Sequence, residues 1–240
     1  MNNYFNRPDD ITINDVRSQS AFASLMRKVY VWMTLAMIVT GLTAYYIASS
    51  PELFYRLFAQ SSATMWILII AEFAVVFILS AAINRLSFAA AGLLFILYSV
   101  LNGATLSVIF LAYTMESISS TFFITAGTFA AMSFFGYITR KDLTGLGKIL
   151  FMALIGIIIA TVVNIFIGST GLQTIISYLG VLIFVGLTAY DTQKIKVMFR
   201  QAGTEVNSST QKLALLGSLT LYLDFINLFL YLLRLLGDRR

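Results

Sequence analysis

The stretch Ile149-Leu150-Phe151-Met152-Ala153-Leu154-Ile155-Gly156-Ile157-Ile158-Ile159-Ala160-Thr161-Val162-Val163-Asn164-Ile165-Phe166-Ile167-Gly168 runs for twenty residues without a charged side chain. As a helix it is about 30 Å long, the thickness of a bilayer's hydrocarbon core. Its apolar character is continuous rather than alternating, which excludes a strand of a membrane barrel. In lipid the backbone must satisfy its own hydrogen bonds, so a continuous apolar run of this length reads as a transmembrane helix.

Six more such stretches flank it, giving spans at 29–48, 65–83, 88–112, 119–138, 149–168, 172–192 and 214–236. Each break falls at a change of chemistry, as at Ser49-Ser50-Pro51-Glu52, Arg140-Lys141-Asp142 and the polar stretch from Gln201 to Lys212. The chain is 59% hydrophobic and 11% charged, against about a quarter charged in soluble domains. The expected fold is therefore an all-α, multi-pass membrane protein in a lipid bilayer. Its domains are a polar N-terminal segment, 1–28, and one seven-helix domain, 29–236. The first apolar run is too long for the core of a cleavable signal peptide and is expected to be the first membrane helix. Small residues, as in Ala89-Ala90-Ala91-Gly92 and Ala126-Gly127 with Ala130-Ala131, are expected to let helices approach closely.

Lysine and arginine set the orientation. A cytoplasmic N-terminus puts twelve of them on inner segments: Arg7, Arg17, Arg27, Lys28, Arg85, Arg140, Lys141, Lys148, Lys194, Lys196, Arg200 and Lys212. The outer loops then hold only Arg56, the asymmetry of the positive-inside rule. Arg234, Arg239 and Arg240 would lie outside, unless the last helix is re-entrant. The net charge of +5 is thus topological. No basic helix or aromatic-basic interleaving points to nucleic acid. The chain has no cysteine and no histidine. It lacks thiolate chemistry, the commonest metal ligand and the usual switch near neutral pH.

Any response to pH therefore rests on carboxylates. Of eleven acids, Glu72, Asp191 and Asp224 fall inside spans, where a charge costs roughly 2.5 to 3.5 kcal/mol and marks a pathway or relay by default. Asp191 lies at the end of the sixth helix, behind a stripe of Ser177, Gly180, Phe184, Leu187 and Thr188. Asp224 lies in the seventh, with Asn227 one turn on. Two adjacent carboxylates in a low dielectric cannot both ionise cheaply, so they share a proton and titrate as a unit. Alternatively, each acid is a local polar anchor. The drawn spans put Asp224 about 16 Å below the start of its helix and Asp191 at the surface. Contact requires the sixth helix to run on through Lys194 to Met198, or the seventh to begin later. Arg85, at the end of the second helix, could reach the pair as a counter-charge.

The string Ser218-Leu219-Thr220-Leu221-Tyr222-Leu223-Asp224-Phe225-Ile226-Asn227-Leu228-Phe229 resembles the C-terminal signature of the Bax inhibitor family, also called the transmembrane Bax inhibitor motif family, in its bacterial branch. Ala189-Tyr190-Asp191-Thr192-Gln193-Lys194-Ile195, Gly136-Tyr137 through Arg140-Lys141-Asp142-Leu143, and Asn164-Ile165-Phe166 are similar as well. The resemblance implies seven helices with the C-terminal one central, in a bacterial inner membrane. It further implies that Asp191 and Asp224 are a di-aspartyl pH sensor gating a calcium leak, with calcium as a transported or bound ion. Arg85 would be a latch, Glu72 and Asn227 parts of the pathway, and no cofactor or enzymatic activity is expected. Some bacterial relatives are instead modulators of a membrane-anchored ATP-dependent protease, which gives a second reading. An intramembrane aspartyl protease shares only the Tyr190-Asp191 half of its signature, since Tyr222-Leu223 stands where Gly-x-Gly precedes the second aspartate.

Overall fold

The computed structural model describes residues 8–59, 63–202 and 207–240, apart from the side chains before Ser20 and that of Ala59. Arg7 and the Arg17 side chain, counted above among the inner charges, lie outside this description. Among the described residues seven helices are long and apolar enough to cross a membrane. They are α1 Pro8–Ala48, α2 Ala63–Ala81, α3 Phe88–Leu106 with a further turn Ile109–Ala112, α4 Met115–Ile138, α5 Thr144–Ile167, α6 Thr170–Ala202 and α7 Ser208–Leu236. A short helix, Pro51–Phe54, and a π-helical turn, Tyr55–Ala59, join α1 to α2.

The polar residues between spans start and stop these helices. Ser87 Oγ accepts from the Ala90 N–H (3.1 Å) and Thr114 Oγ1 from the Ser117 N–H (3.2 Å), while Asn207 and Thr210 cap α7 reciprocally. Each satisfies a first-turn donor that has no partner within its helix. Gly168 ends α5 with a left-handed φ of 69°, which a residue without Cβ adopts freely.

Three boundaries differ most from the sequence expectation, and one is that α7 begins at Ser208, earlier than residue 214, behind its Asn207–Thr210 cap. The α1 helix begins at Pro8, well before residue 29, and Leu25, Met26, Val29, Met33 and Ala36 form one buried face. The helical spacing starts before the hydropathy rises. The sixth helix ends at Ala202 rather than 192, because Ile195 and Phe199 continue its buried face among charged neighbours.

The last helix is 29 residues long and spans about 43 Å, one unbroken run long enough to cross a hydrocarbon core without turning back. Beyond it, Asp238 O accepts from the Thr114 N–H, and the Arg240 N–H donates to Ala112 O. The chain therefore ends beside the α3–α4 turn, opposite the basic loops 82–87 and 139–143.

Burial ranks the helices. In its most apolar window α7 is 61% buried, against 6% for α5 and 11% for α2. It packs against α1, α3, α4 and α6, whereas α2 packs on α3 and α5 on α6. Outward-facing Phe151, Ile158 and Phe166 on α5 are exposed, as acyl chains permit.

One stretch of small residues does not pack as expected. Gly92 meets the Trp32 ring, but nothing lies within 4 Å of a Cβ at Gly127, and Ala130 and Ala131 are exposed. There α1 and α4 stand apart around a groove.

Candidate functional site

The extension of α6 past Met198 resolves the depth of Asp191. The helices α6 and α7 run antiparallel, with Gly217 against Ile195 towards the basic end and Gly180 against the Tyr231 ring towards the other. Asp191 and Asp224 lie between these two levels and face one another. Their carboxyl groups are within hydrogen-bonding reach, so one can donate to the other when it carries a proton. Asp191 is 8% exposed and Asp224 4%. The Oδ2 atom of Asp224 is buried without a hydrogen-bond partner among the described residues.

The hydroxyls along α6 donate within their own helix rather than to the pair. Thr188 and Thr192 each donate to the carbonyl four residues back, at 2.7 Å, and Ser177 does the same at 2.9 Å. The polar stripe on α6 is thus satisfied within its own helix. Asn227 likewise donates to Leu223 O at 2.8 Å.

The backbone of α4 closes the site from a third side. A Cβ at Gly136 would lie 2.1 Å from Ala189 O, so only glycine permits this approach. One turn earlier, Ser133 Oγ bonds Thr192 Oγ1 (3.0 Å) and the Tyr30 hydroxyl of α1 (2.6 Å).

The cation that bears on both acids is Lys194, one turn after Asp191, with its ammonium 5.9 Å from the centre of the Tyr190 ring. Arg85 is exposed in the 82–87 loop and makes no ion pair among the described residues. That loop does touch α7, through Lys212, whose Nζ donates to Asn84 O and Leu86 O at 3.3 Å.

Glu72 belongs to a separate polar centre. It accepts from Thr105 Oγ1 (2.5 Å) and Asn102 Nδ2 (3.3 Å) of α3. Asn102 Oδ1 in turn accepts from the Tyr222 hydroxyl (3.0 Å), which lies 2.6 Å from Thr40 Oγ1 on α1. Thr40 Oγ1 also lies 3.0 Å from Ser99 O, and its single hydrogen serves one of the two; when it goes to Tyr222, donors run from Thr40 through Tyr222 and Asn102 to Glu72.

Sequence reading missed Lys194, Tyr222, Asn102 and Ser133 as members of these centres. An amide at 102 inside an apolar span was the one signal available, since an unpaired amide there is costly. The others are set by which helices meet.

Two carboxyl groups offer at most four oxygens, and among the described residues no third acid joins them.

A family model described as "Inhibitor of apoptosis-promoting Bax1" matches residues 23–240. The chain is 49% identical to the inner membrane protein YbhL of Escherichia coli K12, over 98% of its own length and 99% of that protein's. It is 48% identical to an uncharacterized protein of Borreliella burgdorferi, over 90% and 92% of the two chains. The same likeness extends, at 43% identity, to a Rickettsia prowazekii protein, over 90% and 89%.

Proposed function

Because the chain belongs to the Bax inhibitor family, we propose that it is a pH-sensitive, calcium-permeable leak gated by Asp191 and Asp224. The observation that carries this reading is the burial of two carboxyl groups face to face between α6 and α7. In our reading α7 is the central helix, and the protein is a non-enzymatic component of a bacterial inner membrane with its N-terminus cytoplasmic. The basic loops on one face and the inner-membrane relative support that placement.

One shared proton holds the pair together. Its loss leaves two like charges in contact, and at 4 Å such charges repel by about 4 kcal/mol at an effective dielectric of 20. Inverting a two-state equilibrium from 1:99 to 99:1 takes about 5.5 kcal/mol. Deprotonation thus supplies an energy of the size that biases a two-state contact between α6 and α7, and a cation entering between the carboxylates would stabilise the ionised state by neutralising that repulsion.

The test is calcium entry into proteoliposomes, read by an enclosed dye between about pH 6 and 8. Flux no greater than that of empty vesicles would overturn the proposal. Asp191→Asn with Asp224→Asn should abolish the pH response, because an amide has no proton to lose in this range. If that double variant keeps full physiological activity and the chain co-purifies with a membrane protease complex, the role shifts to modulating the protease.

A further inference from the structure

The groove between α1 and α4 holds a cavity of about 560 Å³ with Met33, Ala126, Ala130 and Phe225 among its walls. Its lining is apolar except for the linked Tyr30 and Ser133 hydroxyls, Thr34 and, towards the basic end, Arg27. At Tyr137 it adjoins a second recess of about 730 Å³, built from the end of α4, the 139–143 loop and the last turns of α6. That recess presents Arg140, Lys141, Lys196 and Arg200 against a single acid, Asp142. The one ion pair among the described residues, Glu52 with Arg56, lies elsewhere, so these four cations have no carboxylate partner among the described residues. Lys196 and Arg200 lie over the Tyr137 and Phe22 rings, which stack on one another. The two recesses therefore share an ordered boundary.

We propose that groove and recess form one site for an anionic phospholipid, with an acyl chain between α1 and α4 and the phosphate among Arg140, Lys141, Lys196 and Arg200. Two features commit the site to this occupant. The excess of cations sits where the spans end and headgroups begin, the placement of basic pockets that hold anionic lipids. The apolar part leads inward from it, so one amphiphile fits both halves, whereas a soluble phosphate would leave the groove without a partner. The small side chains at Ala126 and Ala130 keep the groove open. The chain would also lie close to the candidate gate, because Phe225 follows Asp224 and Ser133 bonds the neighbour of Asp191.

The test needs no calcium flux. The purified full chain is titrated in detergent with phosphatidylglycerol, phosphatidylcholine or inorganic phosphate, reading the thermal midpoint and bound lipid by mass spectrometry. Phosphatidylglycerol alone should raise the midpoint. Arg140→Gln with Arg200→Gln should weaken its binding about thirtyfold, the factor expected for two charges near a lipid surface. Arg85→Gln with Lys148→Gln, equal in charge but outside the recess, should leave binding unchanged. Ala130→Trp, at an exposed position, should fill the groove and lower the affinity with every cation in place. Equal losses in both double variants, unchanged binding in Ala130→Trp, or a midpoint that responds to inorganic phosphate would each overturn the proposal.

Discussion

Tyr222 and Asp224 stand two residues apart on α7, so their side chains leave the helix about 200° apart. Tyr222 reaches Thr40 of α1 and Asn102 of α3, and Asp224 meets Asp191 of α6. One buried helix thus carries two polar centres at nearly the same depth on opposite sides. They can be perturbed separately.

Tyr222→Phe removes a fully buried hydroxyl and leaves Asn102 Oδ1 without that donor. The expected loss of stability is about 1 to 3 kcal/mol, seen as a lower unfolding midpoint in detergent. The pH response of the flux should persist, because the carboxyl pair is untouched.

On the proposed function, protons and calcium compete for the same oxygens of Asp191 and Asp224. By linkage, calcium must release protons when it binds, and raising calcium must move the midpoint of the pH response downward. Proton release on adding calcium to weakly buffered protein checks this, and it should vanish in the Asp191→Asn, Asp224→Asn double variant.

Lys194 is the cation that bears on the pair, whereas Arg85 is exposed in a loop. Lys194→Gln removes a positive charge that favours the ionised acids, so the midpoint of the flux response should move to higher pH. Arg85→Gln should leave it in place, and the two titrations side by side decide between them.

Gly136 and Gly127 lie on one helix with opposite surroundings. Gly136→Ala drives a Cβ into Ala189 O and should cost about 1 to 3 kcal/mol, with the α4–α6 contact disturbed. Gly127→Ala meets open space and should stabilise by up to about 1 kcal/mol through helix propensity. Thermal unfolding of both variants provides the comparison.

Asp142, in the loop outside the spans, is held below the usual carboxylate range by the Thr144 side chain and then by the Thr144 N–H. A depressed value means that its contribution is present above its unfolded value, about 3.9, and is lost as pH falls through the folded one. The stability difference between the native chain and Asp142→Ala should therefore be visible near pH 6 and disappear on acidification below about pH 4. Unfolding midpoints across that range check it.

Much of this architecture is legible in the chain because lipid imposes a length and an apolar composition on every span. The run 149–168 fixes its helix without reference to any neighbour, and the residue found at each break, Ser87, Thr114, Asn207 or Gly168, caps or ends a helix locally. The boundaries at Pro8 and Ala202 were not legible from hydropathy, since turns rich in charge extend both helices; for α6 the buried face of Ile195 and Phe199 reveals the extension.

The candidate site divides the same way. The sequence by itself determined that Glu72, Asp191 and Asp224 are costly ions within apolar spans, and that no histidine shares their work. Only the tertiary structure decided that Asp191 faces Asp224, that Glu72 joins Asn102 and Tyr222 instead, and that Lys194 rather than Arg85 is the nearby cation. Insertion cost belongs to each residue and its span. Pairing depends on helix register and rotation, which small contacts such as Gly136 against Ala189 and Ile195 against Gly217 set between segments far apart in the chain.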